Sequence, residues 1–357
     1  DEFKFVSGYG KIQTRKIKNV TASMENEQWY LNDPKSGINI NDAWYYSKGT
    51  GVKIAVIDCG LDTDHPDINF FLKGYNAQTG SSNAEAVSKS NENHGTAVAG
   101  LIAGKDDNAG IVGVAPEAQI IPIKLYGDDG IVRVSQIIQA HQKAIELGAT
   151  IINNSWGSFD PSVATGQAID ISQQEKDMYE SLATEANDGK GVVVIFAAGN
   201  SARKDPSFNN SPEARLRSNF AVGAINVDGQ RSYYSVYGDE LALVAPGGDA
   251  QKAILTTDRQ DLAIKSGTKV KKYVLGYDRG SYTASFSGTS AAAPIVAGVA
   301  ALVWSVNPNL SADDVKQILK DSARKPNTYD FNEGGRNNEL GSGIVDAGEA
   351  VKKALNY

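Results

Sequence analysis

Four short apolar runs stand out along the chain: GVKIAVID (51–58), AQIIPIKLYG (118–127), ATIINNSWG (149–157) and GVVVIFAAGN (191–200). None alternates apolar with polar, so each predicts a strand buried on both faces, as in a parallel sheet. Between them the spacing becomes helical, in HGTAVAGLIAG (94–104), VSQIIQAHQKAIELG (134–148) and EKDMYESLATEAND (175–188). Strand alternating with helix predicts an α/β chain with a mostly parallel central sheet and helices on both faces. Shorter strands follow at FAVGAIN (220–226) and LALVAPGG (241–248), and the polar stretch 249–282 reads as a surface excursion. The run SFSGTSAAAPIVAG (285–298) opens an apolar helix. SADDVKQILKDSA (311–323), with a Ser cap and acids in its first turn, reads as the last one. Residues 1–40 are polar and weakly periodic, and predict an arm packed on a body formed by 41–357.

Composition narrows the class. At 357 residues the chain is long for one ordinary domain but within reach of a large α/β domain. A net charge of -7 turns the expectation away from nucleic acid and anionic membranes as partners. The longest apolar helical stretch, 291–304, contains Pro294 and reads as too short to span a bilayer. The one cysteine, Cys59, allows no internal disulfide, and its place on a buried run makes it a small hydrophobe. The opening residues DEFKFVSGYG carry no basic-then-apolar signal, which fits a cytosolic protein or a processed, mature one.

In parallel sheets, active residues gather at the carboxyl ends of strands. Asp58, Ser155 to Gly157, and Gly199 with Asn200 all fall at such ends. Ser290 sits where a loop enters the small-residue helix. It reads either as an N-cap or as a nucleophile that needs a base, a partner for that base and an oxyanion site. The chain holds three histidines. His141 reads as a partly exposed residue of an amphipathic helix, and His65 as a turn residue. His94 opens a helix beside Gly95. Asp58, ending a buried strand, needs a hydrogen-bond donor, and an imidazole N–H supplies one while leaving its other nitrogen to accept a proton. The Asn200 amide can donate to a developing oxyanion.

The order Asp, His, Asn, Ser in VIDCG (56–60), HGTAVAG (94–100), AAGN (197–200) and GTSAAAP (288–294) closely resembles the subtilisin-like serine proteases. HPDI (65–68), GIVGVAP (110–116), NNSWGS (153–158), AVGA (221–224) and VAPGG (244–248) extend the resemblance over roughly residues 28–350. It implies a three-layer subtilisin-like fold and a serine endopeptidase, with Ser290 as nucleophile, His94 as base and then acid, and Asp58 orienting His94. Asn200 and the Ser290 N–H would hold the oxyanion. Ser155, Trp156 and Gly157 would pair with substrate backbone, and Ala197, Ala198 and Gly199 would line the specificity pocket. An α/β-hydrolase is excluded by the missing G-x-S-x-G elbow and by chain order. A catalytically silent, peptide-binding relative is disfavoured because all four positions are filled.

The acidic, Gly-rich GKDDNAGIVG (104–113) lacks the ending of a phosphate loop. The resemblance implies a structural calcium held there by Asp67, Asp107 and the carbonyls of Lys105, Ala109 and Ile111. QWYLNDP (28–34), YYSVYG (233–238) and VNPNLSADDV (306–315) are similar to the kexin-like branch, which cleaves after basic residues. Asp160 falls where one of that branch's pocket acids is expected. Cys59 in place of a second Asp, and no Asp within FNNSPEARL (208–216), depart from that pattern, so the resemblance implies either a degradative protease or a processing one that prefers basic residues. The resemblance further implies a secreted or periplasmic monomer acting on proteins or peptides and made with an inhibitory propeptide.

Overall fold

The computed structural model describes residues 4–5, 12–16, 23–86, 92–127, 131–157, 170–203, 212–266, 269–278 and 280–357. Strands β1 (Lys4–Phe5) and β2 (Ile12–Lys16) lead to the short helices α1 (Trp29–Asn32) and α2 (Ile40–Trp44). Seven strands then form the central sheet: β3 (Lys53–Asp58), β4 (Tyr75–Asn76), β5 (Gln119–Lys124), β6 (Ile151–Asn154), β7 (Val193–Ala197), β8 (Phe220–Ile225) and β9 (Leu241–Pro246). Their order is β4-β5-β3-β6-β7-β8-β9, and every neighbouring pair is parallel.

Successive side chains of a strand point to opposite faces, and β3 shows why its run carries no polar alternation. Ile54 and Val56 join one core, with residues of helices α3 (His94–Ala103), α6 (Thr289–Val306), α7 (Ala312–Asp321) and α8 (Ala347–Leu355). Ala55 and Ile57 join the other, with α4 (Val134–Glu146) and α5 (Gln173–Thr184). Both faces are covered, so three layers result. Reading outward from β3, the chain first builds β5 and β4 on one side and then β6 to β9 on the other. Strand order therefore reverses between β3 and β6, and the crevice at their carboxyl ends is where such a sheet receives a ligand.

Helix α6 is the spine of one core. Its residues from Ala291 to Trp304 are all buried, and each large aliphatic side chain there contributes about 1.5–3 kcal/mol. At 18 residues it is long and apolar enough to cross a bilayer, which corrects the expectation for 291–304, but 89% of it is buried inside the fold. Pro294 does not break it. The carbonyl that loses its helical donor to the proline is that of Ser290, and the Ser155 hydroxyl donates to it instead at 3.1 Å.

Three further expectations need correction. Residues 249–282 are more than an excursion: β10 (Ile254–Thr257) is wholly buried and pairs antiparallel with β13 (Tyr282–Phe286). Its threonines tolerate burial because Thr256 and Thr257 donate to the carbonyls of Ala97 and Thr96 on α3, at 2.6 and 2.7 Å. Between them, β11 (Leu262–Ser266) and β12 (Lys269–Tyr273) form a hairpin that pairs with β2. The helix capped by Ser311 is not the last, since α8 follows, capped by the Asp346 carboxylate on Glu349 N–H at 3.0 Å. His141 is fully buried rather than partly exposed, because the inner face of α4 meets Trp156 and Tyr179. Within the 1–40 segment, Trp29, Tyr30, Leu31, Ile38 and Ile40 belong to the core.

Close approach of α3 to β10 depends on Gly100, where a Cβ would lie 2.0 Å from Thr257 Oγ1. Gly100→Ala forces the two elements apart and costs about 1–3 kcal/mol. A lowered urea midpoint with unchanged m-value is the expected result.

Candidate active site

The carboxylate of Asp58, the last residue of β3, is fully buried. It survives there by accepting hydrogen bonds from three groups. Cys59 N–H donates to Oδ1 at 2.7 Å, the Tyr126 hydroxyl donates to Oδ1 at 3.1 Å, and His94 Nδ1 lies 2.9 Å from Oδ2. A carboxylate only accepts, so Nδ1 carries the proton and Nε2 of the neutral ring is left as the acceptor. Burial pulls the His94 pKa down, but the Asp58 charge and hydrogen bond pull harder and hold it above the ordinary imidazole value. Phe286 packs edge-on against the ring at 5.3 Å. Cys59 is buried beside the pair, and desolvation with the Asp58 charge pushes its thiol well up, so it stays protonated.

His94 stands at the first position of α3. A buried ion pair, Lys124 Nζ to Glu92 at 2.5 Å, ties the segment just before it to the end of β5. The neighbouring His65 has a different job: Nε2 bonds the Ser281 carbonyl at 3.0 Å and Nδ1 accepts from Asp67 N–H at 3.2 Å. His141 donates Nδ1 to Ile137 O at 2.9 Å, and burial pushes its pKa down to about 4.

Ser290 is the second residue of α6, and Gly288 occupies the N-cap position, so the N-cap reading of this serine does not hold. At φ 118°, Gly288 adopts a backbone that side chains avoid, and a Cβ there would sit 3.3 Å from Asn200 Nδ2. The Ser290 hydroxyl donates to the Ser155 carbonyl at 3.1 Å, while the Ser155 hydroxyl answers on the Ser290 carbonyl. This reciprocal pair fixes the end of β6 to the first turn of α6. Asn153 Nδ2 supports it by donating to Ser155 Oγ at 3.0 Å.

Asn200 follows β7. Its Oδ1 accepts from both the N–H and the hydroxyl of Thr289, each at 3.0 Å, which turns the Nδ2 end of the exposed amide away from the helix. The N–H of Ser290, in the first turn of α6, finds no partner among the described residues. The Ser290 N–H is thus left as a donor at the positive end of a helix, and the Asn200 amide is held by its oxygen on the residue before the serine.

Of the remaining expected residues, Ser155, Trp156 and Gly157 continue past β6, and Ala197, Ala198 and Gly199 end or follow β7, the adjacent strand. The Trp156 side chain faces inward, donating Nε1 to Ile57 O at 2.9 Å and packing on Phe196. Ala198 N–H is spent on Val222 O, and Gly199 N–H on Thr289 Oγ1. Asp160 lies outside the described residues. An acid not foreseen stands behind this edge: a Cβ on Gly157 would be 3.8 Å from Oε2 of the fully enclosed Glu213. Tyr126 and Thr289 were likewise not foreseen, because a single hydroxyl gives no pattern.

The loop at 105–111 suits a hard cation. Asp67 Oδ1 is buried without a partner, while Oδ2 accepts from Ile111 N–H at 3.0 Å. Burial, with the Asp107 charge, pushes the Asp67 pKa up to about 7. The carbonyls of Lys105, Ala109 and Ile111 accept no hydrogen bond among the described residues. No cluster of three or more His, Cys, Asp or Glu side chains gathers for a metal among them, so an ion here would lean on carbonyls. Calcium accepts such a set of oxygens.

A strand-end Asp–His pair, a serine on a helix N-terminus and an asparagine aimed beside it are the layout of a subtilisin-like serine protease. Comparison with known proteins agrees: residues 49–343 match the subtilase family, and the chain belongs to it. It is 33% identical over 349 residues to a calcium-dependent protease of Nostoc sp., covering 92% of this chain and 51% of that protein. With Subtilisin BL of Lederbergia lenta it shares 33% over 309 residues, 85% of this chain and 92% of that one. The chain thus spans about half the length of the Nostoc protease but nearly all of the subtilisin. A protease from Pseudoalteromonas arctica superposes with a TM-score of 0.69 at 27% identity, covering 92% of this chain and 98% of that one. The serine protease of Aeromonas sobria shares the fold, with a TM-score of 0.78 at 23% identity over 96% of this chain and 69% of that one.

The opposed effects on His94 are separable by NMR. Its imidazole titrates above the ordinary value of about 6.5, and in Asp58→Asn below it, because burial then acts unopposed.

Proposed function

We propose that the protein is a serine endopeptidase that cleaves peptide bonds through an acyl-enzyme. The observation that carries this reading is the buried Asp58 bonded to His94 Nδ1, which leaves Nε2 as the acceptor nitrogen of the ring, while the Ser290 hydroxyl rests on the Ser155 carbonyl. Ser290 Oγ leaves the Ser155 carbonyl, gives its proton to His94 Nε2 and attacks the substrate carbonyl. Asn200 Nδ2 and the Ser290 N–H receive the oxyanion. His94 then protonates the leaving amine, and water attacks the acyl-enzyme by the reverse route. Substrate backbone lies along Ser155 to Gly157, with its side chain entering between that edge and Ala197 to Gly199.

Base action requires neutral His94. Because its pKa is raised, kcat/KM falls as pH drops through a value above the ordinary imidazole pKa of about 6.5. Reaction with a fluorophosphonate labels Ser290, and Ser290→Ala abolishes both labelling and cleavage. A labelled residue elsewhere defeats the assignment. Asn200→Ala lowers kcat about 10²–10³-fold, a magnitude taken from subtilisin itself, a member of this family.

A structural calcium ion binds at Asp67, Asp107 and the carbonyls of Lys105, Ala109 and Ile111, supported by the partnerless Asp67 oxygen. The calcium-dependent name of the Nostoc relative agrees with it. Chelation lowers the melting temperature of the Ser290→Ala protein, where self-digestion plays no part, and added calcium restores it. An unchanged melting temperature removes the ion from the account.

Cleavage follows Lys or Arg, and the reading is supported by the acidic side chain of Glu213 behind Gly157. With the preference expressed as the kcat/KM ratio of an Arg peptide to a Phe peptide, Glu213→Gln lowers that ratio by about tenfold or more. An unchanged ratio moves specificity elsewhere. The protein acts outside the cytoplasm as a monomer in a single body, its 1–40 arm packed against 41–357, and matures from a form held inactive by a propeptide. The name subtilisin carried by relatives fits that setting.

A further inference from the structure

At the amino ends of β8 and β9, away from the strand ends that carry Asp58 and Asn200, lies a pocket of about 480 Å³. Its walls are the turn before β8, the turn before β9, α7 and the loop bearing Arg336. Five cations line it: Arg215, Arg217, Lys316, Lys320 and Arg336. In a chain of net charge -7, such a grouping is not what surface composition alone produces.

The acids nearby offset it only in part. Asp239 and Glu240 line the pocket but are both exposed to solvent. Asp313 is taken by Lys316 at 3.1 Å, and Asp321 lies 3.8 Å from Lys353. Asp170 reaches Arg215 only at 4.0 Å while it pairs with Lys176 at 2.9 Å. Arg217 makes no ion pair among the described residues. Two of the cations are held in place by backbone. Lys316 Nζ donates to Ser218 O at 3.0 Å, and Arg336 Nη2 donates to Asp239 O and Leu241 O at 3.0 and 2.6 Å. Donors fixed in advance lose little freedom on binding. Burial first, and then the charges of Arg336 and Lys316, lower the pKa of Lys320 on the pocket wall.

We propose that this pocket binds a multivalent oxyanion of the phosphate class, inorganic phosphate or a short polyphosphate, at a site separate from peptide cleavage. Guanidinium and ammonium groups match such oxygens in geometry and charge. A bound anion would relieve the repulsion among Lys316, Lys320 and Arg336 and tie α7 to the strands it crosses.

The test is calorimetric titration and thermal melting of the Ser290→Ala protein in chloride buffer, with phosphate or tripolyphosphate added at matched ionic strength. Saturable binding and a melting temperature raised by about 2–4 °C are expected. Tripolyphosphate binding about tenfold tighter than phosphate identifies the chain of phosphates as occupant, and equal affinity identifies the single group. The double variant Lys320→Gln, Arg217→Gln weakens binding by about tenfold or more, while in the active protein the same changes leave peptide kcat/KM unaltered. Exposed Arg217→Ala alone weakens it by a few-fold, which keeps the test intact should the double variant not fold. Linear, unsaturable heats, or equal affinity in the variants, overturn the proposal.

Discussion

A carboxylate removed from water at the end of a central strand is the constraint around which the candidate active site is arranged. Burial of Asp58 would be costly without donors, and its three donors come from the chain just after β3, from the start of α3 and from the segment after β5. The same contacts that satisfy it also choose the His94 tautomer. Stability and chemistry therefore rest on one set of hydrogen bonds. Any change that loosens the carboxylate releases the base.

The reversal of strand order between β3 and β6 makes this economy possible. It opens a crevice with Asp58 on one side and Ser155 on the other, into which α6 points its first turn. Pro294 takes part in an unexpected way. By denying the Ser290 carbonyl a helical donor, it leaves that carbonyl for the Ser155 hydroxyl, so the helix and the strand end are joined at the residue that must be placed most accurately. Gly288 and Thr289 complete the junction by setting the approach and the orientation of the Asn200 amide.

Much of the architecture was legible in the sequence, because buried parallel strands and amphipathic helices impose patterns that depend only on neighbours along the chain. β3, β5, β6 and β7, and α3, α4 and α5, could be read within a few residues of their ends. The failures have a common physical origin in long-range compensation. β10 looked like surface because its threonines are polar, yet the carbonyls of α3 accept their hydroxyls. His141 looked half exposed because aromatic partners just past β6 and on α5 leave no local trace. Tyr126, Thr289 and Glu213 owe their positions to chain segments far away in sequence. The order Asp, His, Asn, Ser was legible because those residues open or close recognisable runs; their distances were not.

The tie between α1 and β10 has a kinetic side. Tyr30, on α1, donates to the carbonyl of Leu255, 225 residues later, and α1 and β10 enter the same core. Together with a wholly parallel sheet, this gives a topology in which stabilising contacts must wait for distant segments to meet. Such chains fold slowly. Contacts that close late in folding also have to break early in unfolding, so they raise the barrier to opening. Where proteases share the surroundings, a long-lived native state is protection, since a chain that rarely opens rarely offers itself as substrate.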